Sequence, residues 1–453
     1  MIFSVANLKK AVNYLKKNGP ESTYYAVLER ISQAREEKYV YIPPTEEELE
    51  RQKAEQWKKE PFFSVIVPAY ETKRVFMEDL ILSLADQTYK NYELIIADAS
   101  ESDVVERTVK DFQEQYERIV YVRLKENGGI SCNSNEALAY AKGEYVGLLD
   151  HDDLLTPDAL YHVAKEILEA SQNVGSPVLI YTDEDKTNTY LEKYYEPHFK
   201  QKLNKDLILT NNYICHLSFI RKDVISRLRF RKEYDGAQDF DLILRTLLWT
   251  EKTYGEDWER RIRHVPKVLY HWRCHDESTA QNPASKMYAY EAGRRAVEDY
   301  MKEKQFEVTV THMEHLGFYR TEYGEKIFEI RKDLGAVAGP VFSGGKIIGG
   351  AMDGKGKILY EGLRKQFSGY MHGAKLQQSV AAGDARNMKV REDLIPLFEK
   401  TLGVSYPMQR KDWEKLSEEE VEKIRKKSLQ FCNKLKAKGI GVLYDPMQTE
   451  ETV

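Results

Sequence analysis

The sequence predicts an α/β fold: a doubly wound domain over residues 61–304, preceded by a helical extension and followed by a smaller α+β module. Three observations carry this. From Phe62 onward, short apolar runs alternate with amphipathic stretches. The first run, Ser64-Val65-Ile66-Val67, is nearly continuous, as in a strand covered by helices on both faces of a mostly parallel sheet. Acidic residues then follow directly on apolar runs, at the carboxyl ends of strands where such sheets bind ligands.

The elements follow in order. Residues 1–60 read as helical and charged, with Leu8, Val12, Leu15, Tyr25, Val27 and Leu28 as apolar positions and a break at Gly19-Pro20. The polar stretch Thr45 to Lys59, closed by Glu60-Pro61, marks a boundary. Strands are expected at 63–67, 92–97, 119–124 and 145–149, with helices at 75–86, 104–116 and 131–141, which is a β-α-β-α alternation. Beyond residue 305 a second module is expected to about residue 410, with strands at 308–311 and 326–331 and the glycine-rich run Gly339 to Gly350. A faint internal echo links Ile220-Arg221-Lys222-Asp223-Val224-Ile225 to Val390-Arg391-Glu392-Asp393-Leu394-Ile395. Residues 411–453 read as a charged helical segment with a solvated face.

Composition narrows the function. A chain of 453 residues has room for two or three domains at about 150 residues each. It is 42% apolar and 31% charged, and no apolar run reaches the 18 or so residues that cross a bilayer. The start lacks the pattern of a secretory signal, so a cytoplasmic location is expected. Cys132, Cys215, Cys274 and Cys432 form no C-x-x-C pair, which disfavours a zinc ribbon or a disulfide framework. A net charge of −5 with interspersed basic residues argues against a nucleic-acid surface.

The strongest chemical signal is Leu148-Leu149-Asp150-His151-Asp152-Asp153, carboxylates released at a strand end. Hard oxygen donors suit Mg²⁺ or Mn²⁺, and a divalent ion there would neutralise charge growing on a nucleoside-diphosphate leaving group. Asp152 reads as the metal ligand, with Asp150 supporting ribose or metal. The alternative is an Asp-rich cap for the helix that begins near Thr156-Pro157.

Four motifs in fixed order carry a resemblance: Phe63-Ser64-Val65-Ile66-Val67-Pro68-Ala69-Tyr70, Ile95-Ile96-Ala97-Asp98-Ala99-Ser100, Asn127-Gly128-Gly129-Ile130-Ser131 and Asp150-His151-Asp152-Asp153. Together they resemble the family-2 inverting glycosyltransferases of GT-A fold, of the bacterial cell-surface polysaccharide type. The resemblance implies that Pro68, Ala69, Tyr70 and Glu71 cradle nucleobase and ribose, and that Asp98 accepts a hydrogen bond from the base; as a plain turn residue Asp98 needs no ligand. It implies that backbone amides at Asn127 and Gly128 approach the donor, against an ordinary Asn-Gly turn. Ala99 departs from the glycine often found after the acidic position.

Downstream, Tyr234-Asp235-Gly236-Ala237-Gln238-Asp239-Phe240-Asp241 resembles the segment in which the family presents its catalytic carboxylate at a helix start. Asp239 is thereby the implied general base, taking the acceptor hydroxyl proton as the oxygen attacks the anomeric carbon. Gln238 stands where the family usually has a glutamate, and a helix cap is the alternative role for Asp239. Leu269 to Ser278 resembles the late loop that closes over the diphosphate. His271 is implied to complete the metal shell, and Arg273 and Ser278 to hold phosphate oxygens. Tyr181 to Lys186 reads as a second acidic strand end, with Asp183 or Asp185 reading sugar hydroxyls or acceptor. Tyr190, Tyr194, Tyr195 and Tyr213 are candidates for sugar stacking among 30 tyrosines.

The implied activity is transfer of a hexosyl or deoxyhexosyl group from a nucleoside-diphosphate-sugar to a glycan or lipid-linked acceptor, assisted by Mg²⁺ or Mn²⁺. A dehydrogenase is disfavoured because the first strand runs into Pro68-Ala69-Tyr70-Glu71 and not G-x-G-x-x-G. A sugar nucleotidyltransferase lacks its basic glycine-rich loop here. A non-catalytic nucleotide-sugar or glycan-binding module is the remaining alternative, and Asp239 with both motif aspartates speaks against it. Residues 305–410 read as a degenerate, partial second glycosyltransferase module that shapes an acceptor groove or a homodimer contact. The lysines flanking Leu8 to Leu15 suit either packing on the protein or peripheral contact with an anionic membrane at its inner face.

Overall fold

The computed structural model describes residues 5–36, 39–275 and 287–449. The chain forms two compact units, one of residues 38–203 and 212–304, the other of residues 1–37, 204–211 and 305–453. No described helix is long and apolar enough to cross a membrane.

The first unit is built on a nine-stranded sheet. Its strands are β1 (Phe63–Ala69), β2 (Tyr92–Asp98), β3 (Ile119–Arg123), β4 (Tyr145–Leu148), β5 (Leu154–Leu155), β6 (Leu179–Asn188), β7 (Tyr194–His198), β8 (Ser218–Arg221) and β9 (Ile262–Cys274). They lie in the order β3-β2-β1-β4-β8-β6-β9-β5, with β7 beside β6. The first four strands and the helices Arg74–Ala85, Val104–Gln113 and Ile130–Tyr140 fall where the alternating pattern places them. Their burial explains why the pattern was readable. Every residue of β2 and nearly all of β1 is buried, so both faces had to be apolar. Val65, Val67, Leu94 and Ile96 share one core with Met77, Leu80 and Leu84 of the first of those helices.

The sheet is parallel from β3 to β4 and mixed beyond it, which corrects the expectation of a mostly parallel sheet. Parallel neighbours need a long crossover, normally a helix. Between β6 and β8 the described chain has no α-helix, only β7 and the short turn Leu207–Leu209, and these strands close antiparallel. Residues 181–186 likewise lie inside β6 and do not end it, because β6 runs on to Asn188 beside β9.

The second unit holds the kinked helix Val5–Glu36, interrupted at Gly19 (φ 81°) before Pro20 as the sequence predicts. Of the basic segment around Leu8 to Lys17, most side chains fall outside the described residues. Its sheet has the order Gln378–Val380, Gly441–Tyr444, Leu334–Ala338, Met388–Val390. Thr309–His312 is a strand as expected. Lys326 to Arg331, expected as a strand, contains the single helical turn Ile327–Ile330 instead, its two isoleucines three residues apart on one face. In the glycine-rich run, strands Val341–Ser343 and Lys346–Gly349 are joined through Gly344 and Gly345, whose φ of 55° and 74° suit a tight hairpin. The helix Glu418–Lys436 is solvated on one face only. Its Ile424, Phe431, Cys432 and Leu435 are buried on the other.

The two units share a local pattern. In the first, β8 runs antiparallel to β6, β9 runs parallel to β6, and β8 leads into the helix Lys222–Leu228. In the second, Met388–Val390 runs antiparallel to Leu334–Ala338, Gly441–Tyr444 runs parallel to it, and the former leads into the helix Ile395–Leu402. The echoed hexapeptides occupy the same strand-to-helix turn in both, where Arg221 grips Asp223 (2.6 and 2.9 Å) and Arg391 grips Asp393 (2.7 and 3.2 Å).

A half-buried histidine is expected to make the second unit acid-sensitive. His372 Nδ1 lies 3.0 Å from Ser368 Oγ, and its ring sits 4.2 Å from that of His315. Burial, and then the nearby His315, push the imidazole down to about 4. The unfolded chain binds this proton near pH 6.5, so the stability given by the neutral ring is present above that pH and is lost on acidification toward 4. Lowering the pH from 7 to 5 should cost this unit about 1–2 kcal/mol. Hydrogen exchange of peptides from 305–449 reads that loss. His372→Asn, which suits the residue's φ of 60°, should flatten the dependence, and an unchanged slope would discard the assignment.

Candidate active site

The site grows from the carboxyl edge of the parallel strands. At the end of β1, Glu71 is held at φ 47° by three neighbours: its amide donates to Ser100 Oγ at 2.8 Å, and its carboxylate accepts from the amides of Glu101 (2.7 Å) and Ser102 (3.1 Å) and from Ser102 Oγ (2.7 Å). Glu71 therefore braces the β1 loop to the β2 loop. Those hydrogen bonds, led by the Ser102 hydroxyl, hold its carboxyl below the ordinary range. Tyr70 beside it is exposed, while Ala69 is buried within β1.

Asp98, fully buried at the end of β2, accepts from the amide of Ser100 at 2.9 Å, Tyr121 OH at 2.8 Å and Arg123 Nη1 at 3.0 Å. Tyr121 and Arg123 are site-forming residues that sequence reasoning missed; the available signal was a basic residue closing the third strand next to an acidic one closing the second.

The Asn127-Gly128-Gly129 turn precedes the helix Ile130–Tyr140. Its amides already have partners inside the chain. Gly128 N donates to Asn133 Oδ1 (3.2 Å), Gly129 N to Asn127 Oδ1 (3.1 Å) and Ser131 N to Asp235 Oδ1 (3.1 Å). Gly129 has φ +91°, and a Cβ there would stand 2.5 Å from Asp235 Oδ2, so the turn requires glycine.

After β4 the acidic motif fans out into different surroundings. Asp150 is partly exposed, with Oδ2 3.4 Å from His216 Nε2. His151 Nδ1 lies 3.0 Å from Thr72 Oγ1. Asp152 Oδ2 lies 2.8 Å from His275 Nε2. Burial opposes the charge on Asp152, but the contact with His275 and the charges of His151 and His275 outweigh it and set the carboxyl low. Asp153 is fully buried, bonded to Tyr270 OH and to the Arg273 amide at 2.7 Å. Burial, followed by the charges of Asp152 and Asp150, pushes its carboxyl well up. It is a strut joining the motif to β9, and the helix-cap alternative does not describe it.

His271, the expected metal ligand, turns elsewhere: its Nδ1 lies 2.5 Å from Asp185 Oδ1, and its ring packs against Tyr41 and Tyr194. The histidine facing Asp152 is His275. Residues 271 and 273 share one face of β9 and 275 follows just past its end in the same alternation, so their spacing could not choose between the two histidines. The register does, because it sets His271 opposite Asp185 and Leu154. Asp185 is fully buried and also accepts from Tyr39 OH at 2.8 Å. Asp183 Oδ1 accepts from Lys200 N at 2.9 Å and faces His264 Nε2 at 2.8 Å. Both expected sugar-reading carboxylates are thus engaged within the sheet. Arg273 is fully buried, with Nη2 on Asp79 at 2.9 Å and its guanidinium 4.5 Å from the Phe76 ring centre; its Nε has no hydrogen-bond partner. Ser278 lies outside the described residues. Of the candidate tyrosines, Tyr213 is buried and Tyr190 exposed.

Across from Asp150, the helix Gln238–Tyr254 opens with Gln238, whose Oε1 accepts from Gly236 N at 2.9 Å, and Asp239. Asp239 Oδ2 accepts from Asn212 Nδ2 at 2.9 Å, and its Oδ1 from the Phe240 amide at 2.8 Å. Burial pushes its carboxyl up, with the charge of His216 partly offsetting. Pro68, Asp150, Cys215, His216, Gln238 and Asp239 line one cavity of about 50 Å³. It opens between β1 and β4, where the strand order reverses. Burial opposes a charge on His216, yet Cys215, Asp150 and Glu184 around it favour the imidazolium and raise it well above the ordinary value. Cys215, His216 and Glu184 were not among the expected site residues; no motif marks them, since the loop before β8 and the distant strand β6 bring them together.

A parallel half, an antiparallel continuation and carboxylates on both sides of the reversal point make up one α/β domain with an acidic cleft at its strand ends. Residues 64–229 match the family model described as "Glycosyl transferase family 2". Among relatives, it is 38% identical over 243 residues to the uncharacterized protein y4gI of Sinorhizobium fredii, covering 53% of this chain and 25% of the relative. It is 28% identical over 255 residues to the O-antigen biosynthesis protein RfbC of Myxococcus xanthus, covering 56% and 19%. The chain thus spans a quarter or less of the length of these relatives. Among solved structures, residues 1–349 of S. aureus TarS in complex with UDP-GlcNAc align at 21% identity and a TM-score of 0.41, over 53% of this chain and 66% of that one.

Proposed function

We propose that the unit of residues 38–203 and 212–304 transfers a sugar, with inversion, from a nucleoside-diphosphate donor to a hydroxyl of a glycan or lipid-linked acceptor in cell-surface polysaccharide synthesis. The observation that carries this reading is the shared cavity of Asp150 and Asp239 at the reversal point. A carboxylate raised by burial and held by Asn212 is a strong base in fixed orientation, suited to taking the acceptor proton as the oxygen attacks. Asp98 takes the nucleobase edge with the acceptor capacity left on Oδ1, and Pro68 to Tyr70 frame the base beside it. With its amides satisfied, the Asn127-Gly128 turn serves as a wall of the cleft.

On the Asp152 side, the low-set Asp152 carboxylate and the His275 imidazole 2.8 Å from it are the pair that would hold a divalent ion, while Asp150 faces His216 at 3.4 Å. His275 Nδ1, buried and without a hydrogen-bond partner, leaves that ring's tautomer free to adapt. Such an ion supplies positive charge to the departing diphosphate. Asp152→Ala should weaken Mn²⁺-dependent donor binding about 10–100-fold. Calorimetry of UDP- and GDP-sugars with and without Mn²⁺ checks this, and unchanged Mn²⁺ dependence would remove Asp152 from the role. The same donor panel, screened for metal-dependent hydrolysis, tests the activity itself; a chain that binds and turns over none of them would refute it.

For residues 305–453 we propose a duplicated acceptor-side half-module without its own nucleotide-binding strands. The repeated strand order and the paired Arg221–Asp223 and Arg391–Asp393 turns support this.

A further inference from the structure

The geometry points to a second metal site, distinct in donors from the Asp152 side: Cys215, His216 and Asp239 form a three-ligand site for a thiophilic divalent ion such as Zn²⁺ or Co²⁺. One ligand atom from each residue lies within 4.8 Å of the other two. A tetrahedral ion with bonds of about 2.0–2.3 Å sets its ligand atoms roughly 3.3–3.6 Å apart, so small side-chain rotations close the set. Three protein ligands and one open position is the pattern of a zinc site that keeps an exchangeable fourth ligand. The cavity of about 50 Å³ has room for a dehydrated ion and a water, each water needing about 10–15 Å³.

Neighbours already orient the donors. Asn212 holds Asp239, and Glu184 accepts from the His216 amide at 2.7 Å, while the His216 ring stacks on Tyr270 at 4.9 Å. Within that shell His216 Nδ1 makes no hydrogen bond and lies 3.5 Å from Glu184 Oε2, while Nε2 lies 3.4 Å from Asp150 Oδ2. Thiol and imidazole donors select Zn²⁺ and Co²⁺ over the hard ions that suit Asp152. Coordination replaces the Cys215 thiol proton by a metal–sulfur bond and one His216 ring proton by a metal–nitrogen bond, and both protons leave to solvent.

Occupancy also has a consequence that rests on the proposed function: an ion on Asp239 takes away the lone pair that would receive the acceptor proton. The site would then be inhibitory, and Zn²⁺ would shut off transfer even with Mn²⁺ in excess.

The test titrates Co²⁺ into the full chain, reduced and with saturating Mg²⁺, and reads the near-ultraviolet thiolate-to-cobalt band. The expected result is a band that saturates at one equivalent, is displaced by Zn²⁺ and disappears in Cys215→Ser. His216→Gln and Asp239→Asn should each weaken Co²⁺ about 10–100-fold. No band at stoichiometric Co²⁺, or a band that survives Cys215→Ser, overturns the site. If Cys215→Ser does not fold by circular dichroism, Asp239→Asn decides, and an unchanged Co²⁺ affinity there overturns it equally. The band is independent of turnover, so a chain inactive with every donor refutes the transferase reading and leaves this result standing.

Discussion

Asp239→Asn is expected to lower turnover by 10²–10⁴-fold, the usual contribution of a positioned general base, while donor affinity stays unchanged. The substitution is nearly isosteric, and the surroundings can absorb it. The new amide oxygen still accepts from the Phe240 amide, which now bonds Asp239 Oδ1 at 2.8 Å. The new NH₂ group would face the NH₂ group of Asn212, but Asn212 Oδ1 is buried without a partner, so flipping that amide restores the contact. The loss should therefore be chemical and not structural. Single-turnover rates with a metal-dependent donor, alongside calorimetric donor binding, separate the two. Activity within a few-fold of the parent chain would place the base elsewhere.

Arg331→Met should destabilise the second unit by about 3–5 kcal/mol, because it strands a buried carboxylate. Arg331 donates from Nη1 to Asp206 at 2.6 Å and to Tyr323 OH at 3.1 Å, and from Nε and Nη2 to Asp333, both at 2.8 Å. Asp206 is 3% exposed, and once the guanidinium is gone its one remaining side-chain partner in view is Ser379 Oγ at 2.5 Å. The contrast is the exposed pair Lys110–Glu106, where Lys110→Met should leave stability nearly unchanged because solvent screens the charges. Adding Asp206→Asn to Arg331→Met should recover much of the stability, since no unpaired charge is then buried. Urea unfolding followed by hydrogen exchange over 305–449 measures each; a cost below about 1 kcal/mol for Arg331→Met would refute the argument.

The legible parts of the molecule are those where a residue's own neighbours in sequence decide its state. Strands β1, β2 and β4 are buried on both faces, and that requirement is written as unbroken apolar runs. The helix beginning at Gln238 was legible only through the resemblance of residues 234–241 to a known family segment. Lys326 to Arg331 went wrong because so short an apolar stretch fits a period of two or three equally well.

The sequence by itself determined the parallel half of the sheet and the placing of Asp98, Asp150 and Asp152 at or just beyond strand ends, because local periodicity and the end of an apolar run fix both. The helix start at Asp239 was read from the family resemblance. Which side chains meet was decided only by tertiary structure. His275 and not His271 faces Asp152 because strand register, which no spacing encodes, sets His271 against Asp185. Cys215, His216 and Asp239 converge because β4, β8 and the helix after them pack at one edge, a long-range arrangement that leaves no motif in the chain.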